Sequence, residues 1–349
     1  MKKHYSLLFI ICCLLFSACS TDLDVTGNYK ETMVVYGLLD QTQKTQYIRV
    51  NKAFLGEGNA LVFAKEKDST QFVNSLDVRL KRLSDGKEFI LKPDNTISKE
   101  DGLFYSGVQT NAIYSFPSTG ADLPANSKYL LTVTNTSNGT KATATTSLIS
   151  NFDIINPANG TSFLLTPKNE ASRLYVDWSS NRTARMYQLI VRLNYKDFRS
   201  VNGVKDSVDR TIDWPFPSHI TTGEDGEKMT NDFSRAELLQ YIGSNLKNYP
   251  ELEYRKAINM NLIIVAGGEE LTTFIEVNKP SNSVVQEKPI YTNIQEGYGV
   301  FSSRYYKPAL SLSLYSLSNP TKELDSLTCG RFTHTLKFLN ADGTVPPCF

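Results

Sequence analysis

The sequence predicts a mainly β protein built from two β-sandwich domains in tandem, with one short helix in an insertion. The first observation is composition, because the 349 residues include 18 Tyr and 18 Phe, and aromatic residues are enriched in strands. The second is a repeated alternation of apolar and polar residues, which is typical of half-buried strands. The third is chain length, which suits about two domains of roughly 150 residues each.

The N-terminus predicts a secretion signal over residues 1–18. Lys2 and Lys3 give it a positive start, and residues 5–16, YSLLFIICCLLF, are an apolar run. The run is shorter than the roughly 20 apolar residues of a membrane-spanning helix, and it fits a signal-peptide core of about 7 to 15 residues. Small residues then precede Cys19, as in the bacterial lipobox, although Phe16 replaces the usual Leu. We therefore expect acylation of Cys19, which would anchor the chain in membrane lipid; an ordinary signal peptide with an incidental cysteine is the alternative.

Residues 19–30 are interpreted as a polar tether. Residues 20–24, Ser-Thr-Asp-Leu-Asp, resemble the export signal that sends Bacteroidota lipoproteins to the cell surface, so we expect an outer-membrane protein facing the exterior. A plain acidic linker is the alternative. Without residues 1–18 the chain has 35 basic and 36 acidic side chains. This balance lacks the basic footprint of a nucleic-acid-binding protein.

The N-terminal sandwich is predicted over residues 31–150. Its clearest strand is 76–81, which alternates strictly and is followed by a Ser-Asp-Gly turn, so that a hairpin with residues 89–91 is expected. Tyr129 follows Leu123-Pro124 at a spacing similar to the tyrosine corner of immunoglobulin-like and fibronectin type III domains, in which the Tyr hydroxyl bonds to upstream backbone. Further strands are predicted at 34–39, 47–51 and 141–148.

The C-terminal sandwich is predicted over residues 151–349, after an Asn-, Pro- and Gly-containing boundary at 151–160. Alternation places strands at 174–178, 187–195, 258–265, 272–277 and 309–317, and Trp178 is expected in the core. The Gly267-Gly268 pair reads as a hairpin turn between two of these strands. The domain is expected to end in a C-terminal tail.

An insertion is predicted at about residues 198–250. Few of its first residues are apolar in phase, so 198–231 is expected to be a long loop, and long loops are often functional. Trp214 and Phe216 are its candidate ligand or partner contacts. Ser234 and Glu237 have the spacing of a capping box and predict the start of the one short helix.

Cys329 and Cys348 remain once Cys12, Cys13 and Cys19 are assigned to the signal and the lipid anchor. An even pair in an oxidising compartment predicts a disulfide. Two reduced thiols are the alternative, because distance cannot be read from sequence.

Three stretches carry a resemblance to a known family: residues 34–39, VVYGLL; residues 48–60, IRVNKAFLGEGNA; and residues 291–304, YTNIQEGYGVFSSR. Together the stretches resemble the Bacteroidota outer-membrane lipoproteins classed as domain of unknown function four-two-four-nine. The resemblance spans about residues 30 to 340. It implies an outer-membrane lipoprotein that works beside a TonB-dependent transporter, and it implies no catalytic residues.

The third stretch also supplies two candidate contacts, Tyr298 and Arg304. Gly297 and Gly299 flank the tyrosine, so the chain there must either turn tightly or approach another backbone closely. A loop that closes the sandwich is the structural alternative to a recognition site.

No catalytic or metal-binding motif is found, so neither enzymatic activity nor a cofactor or metal is expected. The mature chain has only His219 and His334, and neither lies near a Gly-x-Ser-x-Gly elbow. Zinc-protease, Cys-x-x-Cys and P-loop motifs do not occur in the sequence. Asp-Ser-apolar or Asp-Ser-Thr triplets at Ser69, Ser207 and Ser326 match the form of Bacteroidota O-glycosylation sites.

The first functional hypothesis is therefore an accessory or ligand-binding lipoprotein that partners a TonB-dependent transporter. The second is an adhesion or envelope-structure protein without a transporter partner. A hydrolase is a third hypothesis, and it would require converging titratable groups in one pocket.

Overall fold

The structure is a computed structural model, and it describes residues 31–53, 62, 64–72, 74–97, 112–163, 171–279, 290–314, 325–340 and 342–346. The predicted signal, tether and lipidated Cys19 lie outside the described residues, as do Cys348 and the Gly-rich part of the second family stretch. Within the described residues, no helix has the length and apolar character needed to cross a membrane.

The predicted mainly β class with sandwich sheets is confirmed. In the N-terminal half the elements are β1 (Thr32–Leu39), β2 (Thr45–Ala53), α1 (Lys67–Thr70), β3 (Leu76–Arg82), β4 (Glu88–Pro93), β5 (Ile113–Pro117), β6 (Lys128–Asn135) and β7 (Lys141–Ser147). In the remainder they are β8 (Ile154–Asn156), β9 (Arg173–Ser179), β10 (Met186–Val201), β11 (Val204–Pro215), β12 (His219–Ile220), β13 (Lys228–Ser234), α2 (Arg235–Asn245), β14 (Leu252–Gly267), α3 (Glu269–Asn278), β15 (Gly297–Tyr306), β16 (Leu310–Leu312), α4 (Asp325–Thr328) and a 3-10 turn (His334–Leu336).

Most strands belong to one large sheet, in the order β11-β10-β14-β15-β1-β2-β5-β4-β3-β6-β7, and a small sheet has the order β13-β9-β8. Two separate clusters of buried apolar side chains form the cores. The first core is centred on the N-terminal half and includes Tyr129 and Leu131. The second includes Trp178, which is fully buried as predicted, and Tyr187.

Strand β15 joins the two halves. Its residues from Gly297 to Ser303 pair in parallel with β1, from Met33 to Leu39. Its last three residues pair antiparallel with the end of β14. Phe301 and Ile294 are part of the first core although they follow the predicted domain boundary by more than a hundred residues. Residues 151–349 were all predicted to belong to the second domain, so the contribution of Ile294 and Phe301 to the first core was not predicted.

Several local predictions are confirmed. The β3–β4 hairpin forms, with Val78 opposite Leu91. The Tyr129 hydroxyl donates to the Asp122 carbonyl over 2.6 Å, which is the bond expected of a tyrosine corner. Helix α2 begins after Ser234, whose capping box with Glu237 is complete.

The predicted strand at 272–277 is wrong, because these residues form helix α3. Gly268 is its N-cap residue rather than part of a hairpin turn. Glu269 and Glu270 lie in the first turn, where negative charge interacts favourably with the helix dipole. The Thr, Phe, Ile and Val residues of this segment favour strands intrinsically, but β-propensity is strongly dependent on context.

The predicted long loop at 198–231 is also wrong, because most of it is strand. Strands β10 and β11 form a hairpin whose turn is Asn202-Gly203, both with positive φ. Charged pairs cross it, such as Arg199 with Asp206 at 2.8 Å. Because charged residues occupy much of this hairpin, it lacks the apolar alternation that predicts a strand from sequence. The Asn-Gly dipeptide is the hairpin signal that was missed.

Candidate functional site

The candidate site is a groove on the outer face of the large sheet, where β1, β2 and β5 lie side by side. Side chains alternate between the two faces of a strand. Ile48 and Val50 therefore point into the first core, while Tyr47 and Arg49 point outward. On β1, Tyr36 is outward and lies opposite Arg49 in the register.

The β1–β2 groove, as we call it, has a volume of about 290 Å³. Two aromatic rings stand in it, because Tyr36 is 41% and Tyr47 is 43% exposed. Tyr36 is supported from one side by an edge-to-face contact with Phe274 of α3. The charged side chains that line the groove are Asp40, Arg49 and Arg304.

Arg304 reaches the groove from β15 and is held there by Asp40. The Asp40 carboxylate is almost fully buried, at 2% exposure, and accepts a 3.1 Å bond from Arg304 Nε. Its other oxygen accepts bonds from the Thr42 backbone N–H at 3.0 Å and the Thr42 hydroxyl at 2.6 Å. The guanidinium group also lies over the Tyr306 ring, 5.0 Å from its centroid. These contacts fix the orientation of the guanidinium plane.

Gln46 fixes the loop that carries Asp40. Its side chain is buried and accepts a 2.8 Å bond from the Asp40 backbone N–H. In the other direction its Nε2 donates to the Asp40 carbonyl at 2.8 Å and to Ser118 Oγ at 3.0 Å. These hydrogen bonds hold the turn that forms the wall of the groove, and they attach it to the end of β5.

Arg49 stands at the opposite end of the groove. Its Nε donates to Asn51 Oδ1 at 2.7 Å. No residue that the structure describes accepts a bond from the Nη atoms of Arg49 or of Arg304. The groove thus presents two guanidinium ends to solvent, beside two tyrosine rings.

Beneath the Arg304 end lies a buried phenol. Tyr305 points to the other side of β15 and donates to Asn151 Oδ1 at 3.1 Å. Burial, together with the Asp40 charge, raises the pKa of Tyr305. The phenol therefore stays neutral and contributes to the packing rather than to any proton transfer near neutral pH.

Of the four candidate contact residues, only Arg304 lines this groove. Tyr298 is 49% exposed but lies near the start of β15, where it is in register with Val34 of β1. Gly299 beside it shows the close backbone approach that was one of the two alternatives, since a Cβ there would lie 2.0 Å from the Val35 carbonyl oxygen.

Trp214 and Phe216 lie elsewhere, packed against the second core. The Trp214 ring stacks on Tyr241 at 5.2 Å, and its centroid is 4.6 Å from that of Phe216. Their contacts are those of packing residues, and the structure does not bring them near Arg304.

Of the remaining predicted sites, Cys329 is disulfide-bonded, while Cys348 lies outside the described residues. Ser207 is exposed on β11, and Ser69 is half-buried in α1. Ser326 falls in α4, with a side chain that lies outside the described set.

The described residues contain no cluster of three or more His, Cys, Asp or Glu side chains placed to hold a metal ion. His219 bonds to Asn231 Oδ1 at 2.9 Å and packs edge-on to Trp178. His334 lies in the 3-10 turn near the C-terminus.

The fold and the groove together define a mainly β protein with an open surface groove. No family model matches the chain, and no curated protein matches it. Among solved structures, the chain is similar to the crystal structure of chicken CNTN1 FN1-FN3 domains. The two are 10% identical, the match covers 82% of this chain and 67% of that chain, and the TM-score is 0.26.

Proposed function

We propose that the protein is a non-catalytic, lipid-anchored lipoprotein of the outer membrane that faces the exterior and captures a ligand in the β1–β2 groove. In this role it serves as an accessory partner of a TonB-dependent transporter. The observation that carries the proposal is the oriented Arg304 guanidinium in a groove that also holds two exposed tyrosine rings. Oriented polar groups on rigid strands are typical of binding sites, because little side-chain entropy is lost when a ligand binds.

The lipobox-like residues before Cys19 support the anchor, and residues 20–24 support surface exposure. The absence of a metal-binding cluster within the described ranges and the packing role of His219 support a binding role over catalysis. The pairing of β15 with both β1 and β14 supports the second candidate, an adhesion or envelope-structure protein, because a continuous sheet also suits a spacer.

The anchor is tested by radiolabelled palmitate incorporation in cells that express the wild type or Cys19→Ala. We expect label and membrane retention only for the wild type. External protease should digest the protein on intact cells. Label in Cys19→Ala, or full protection from protease, would contradict the anchor or its orientation.

The transporter partnership is tested by affinity purification of the native lipoprotein from mild detergent extracts. We expect a stoichiometric outer-membrane barrel protein to co-purify. Purification without any barrel protein favours the adhesion hypothesis instead.

A further inference from the structure

We propose that the β1–β2 groove binds an acidic oligosaccharide, with Arg304 as the anchor for a sugar carboxylate. This inference rests on the proposed ligand-capture function and names the chemical class of ligand. It is carried by the guanidinium geometry, by the spacing of the two arginines, by the exposed rings and by the pairing of the strands beneath them.

The Arg304 guanidinium is bonded to the protein through its Nε, and its Nη groups are available to a ligand. Asp40 takes its Nε, and the Tyr306 ring covers one face of its plane. No described residue accepts a bond from its two Nη groups, whose outer N–H bonds form a planar fork. Such a fork matches the two oxygens of a carboxylate, and the charge-assisted bonds are roughly twice as strong as neutral ones. Asp40 is therefore a positioning residue for Arg304.

Arg49 provides a second cationic group for an acidic ligand, at a distance from Arg304. Tyr36, its register partner, is four residues from Asp40 along β1, which corresponds to roughly 13 Å at about 3.3 Å per residue. The two arginines therefore start from backbone positions about 13 Å apart along the strands, and an oligomer suits that spacing better than a single sugar ring. Repeated carboxylates along a sugar chain meet this requirement.

The exposed rings of Tyr36 and Tyr47 line the same groove as the two arginines. The face of an aromatic ring carries partial negative charge, and it attracts the weakly positive C–H groups on the face of a sugar ring. Phenol, amide and hydroxyl groups of the lining, including Gln43 and Thr45, then suit sugar hydroxyls.

Two other ligand classes fit less well. An extended peptide is usually bound by adding a strand to a free sheet edge, but β1 and β2 are both internal, since the local order is β15-β1-β2-β5. A polyphosphate needs more cationic groups than the lining supplies, because Asp40 already offsets one of its two arginines.

The experiment uses the full-length lipoprotein in detergent and isothermal titration with three acidic probes. These are tetragalacturonate, an alginate tetramer and a chondroitin sulfate tetrasaccharide. The methyl ester of tetragalacturonate is the uncharged counterpart. We expect at least one acid to bind, and the esterified form to bind at least about tenfold more weakly, as expected for losing charge-assisted bonds.

Three variants separate recognition from folding. Arg304→Lys keeps the positive charge but removes the fork, and it should weaken acid binding about tenfold or more without changing binding of the ester. Arg49→Gln and Tyr47→Ala leave the Asp40–Arg304 pair intact; the first should weaken only the acid and the second should weaken both forms. Arg182→Gln and Tyr175→Ala, both exposed and outside the groove, are the matched controls.

Equal affinity for acid and ester would overturn the proposal, and so would the failure of all three acids to bind. Binding that is insensitive to Arg304→Lys and Arg49→Gln, or tighter binding of a poly-glutamate peptide than of any saccharide, would also overturn it. None of these outcomes bears on the co-purification of a transporter, so the ligand class and the proposed function are judged separately.

Discussion

Arg255 shows how much a single buried charge can support. It is 1% exposed, and its Nε donates to the equally buried Asp197 at 3.0 Å. Its Nη atoms donate to the Asn248 side chain and to the carbonyls of Leu336 and Lys247, each at 2.7 Å. One guanidinium therefore ties strand β14 to β10, to the loop after α2 and to the C-terminal segment.

We expect Arg255→Met to destabilise the protein by about 3 to 5 kcal/mol, because Asp197 would remain buried without its charged partner. Urea unfolding followed by circular dichroism measures the loss. Arg182→Met, at an exposed arginine, should cost less than about 0.5 kcal/mol. A cost below about 1 kcal/mol for Arg255→Met would contradict this role of the buried pair.

Asp122 gives a pH dependence at the tyrosine corner. Its carboxylate accepts bonds from Lys87 at 2.8 Å and from the Thr119 hydroxyl and backbone N–H. These bonds, the one from Lys87 first, lower the pKa of Asp122 from 3.8 to about 2. A lowered folded-state pKa contributes stability above the unfolded pKa, and this stability is lost as pH falls towards the folded value.

We therefore expect the wild type to lose stability between about pH 4 and pH 2, in part through Asp122. Asp122→Asn should be less stable at pH 7 and should show a shallower decline over that window. Thermal melts at half-unit pH steps measure both. Asp153→Asn, at a carboxylate that is 86% exposed, is the control. Parallel declines for wild type and Asp122→Asn would contradict this role.

At the scale of single elements, β15 depends on a glycine. Gly299 has a φ of +110°, and an added Cβ would lie 2.0 Å from the Val35 carbonyl oxygen of β1. An L side chain meets both backbone strain and a collision with the main chain of its neighbour. The parallel pairing of β15 with β1 therefore requires glycine at this position.

We expect Gly299→Ala to cost at least about 3 kcal/mol. Gly139→Ala is the matched control, since Gly139 also has positive φ but open space around its Cα, and about 1 to 2 kcal/mol is expected there. Denaturant unfolding of both variants makes the comparison. Similar costs at the two positions would mean that the close approach to Val35 is relieved by a small shift.

The elements also show where prediction from sequence succeeds. Helix α2 is found because its capping signal is local, and the β3–β4 hairpin because alternation and turn lie side by side. Helix α3 is missed because its residue types favour strands, although Glu269 and Glu270 after Gly268 were an available signal for a helix start. The β10–β11 hairpin is missed because charge pairs replace apolar alternation on it.

At the scale of the whole molecule, the site could not be predicted, because it depends on a long-range pairing. Arg304 was a candidate, and residues 47–51 were predicted to form a strand. Nothing local indicated that Asp40 meets Arg304, 264 residues away. The contact between these two side chains forms only because β15, which lies in the second half of the chain, pairs with β1.

The same pairing predicts that residues 31–150 are not independently stable. Without β15 they lack Phe301 and Ile294 from their core. We expect a 31–150 fragment to have a weak near-ultraviolet signal and to bind a hydrophobic dye. Fusing residues 290–314 to it through a flexible linker should restore cooperative unfolding. A fragment that unfolds cooperatively without this addition would contradict the prediction.

The position of β15 near the end of the chain also sets an order of events during biogenesis. A ribosome makes β1 early, but its parallel partner is made more than 260 residues later. Contacts of such high sequence separation form slowly, since a long loop must close first. The N-terminal half therefore stays incompletely folded until β15 has been made. A chain that delays its own folding in this way remains threadable for longer, which is the state that the proposed export would require.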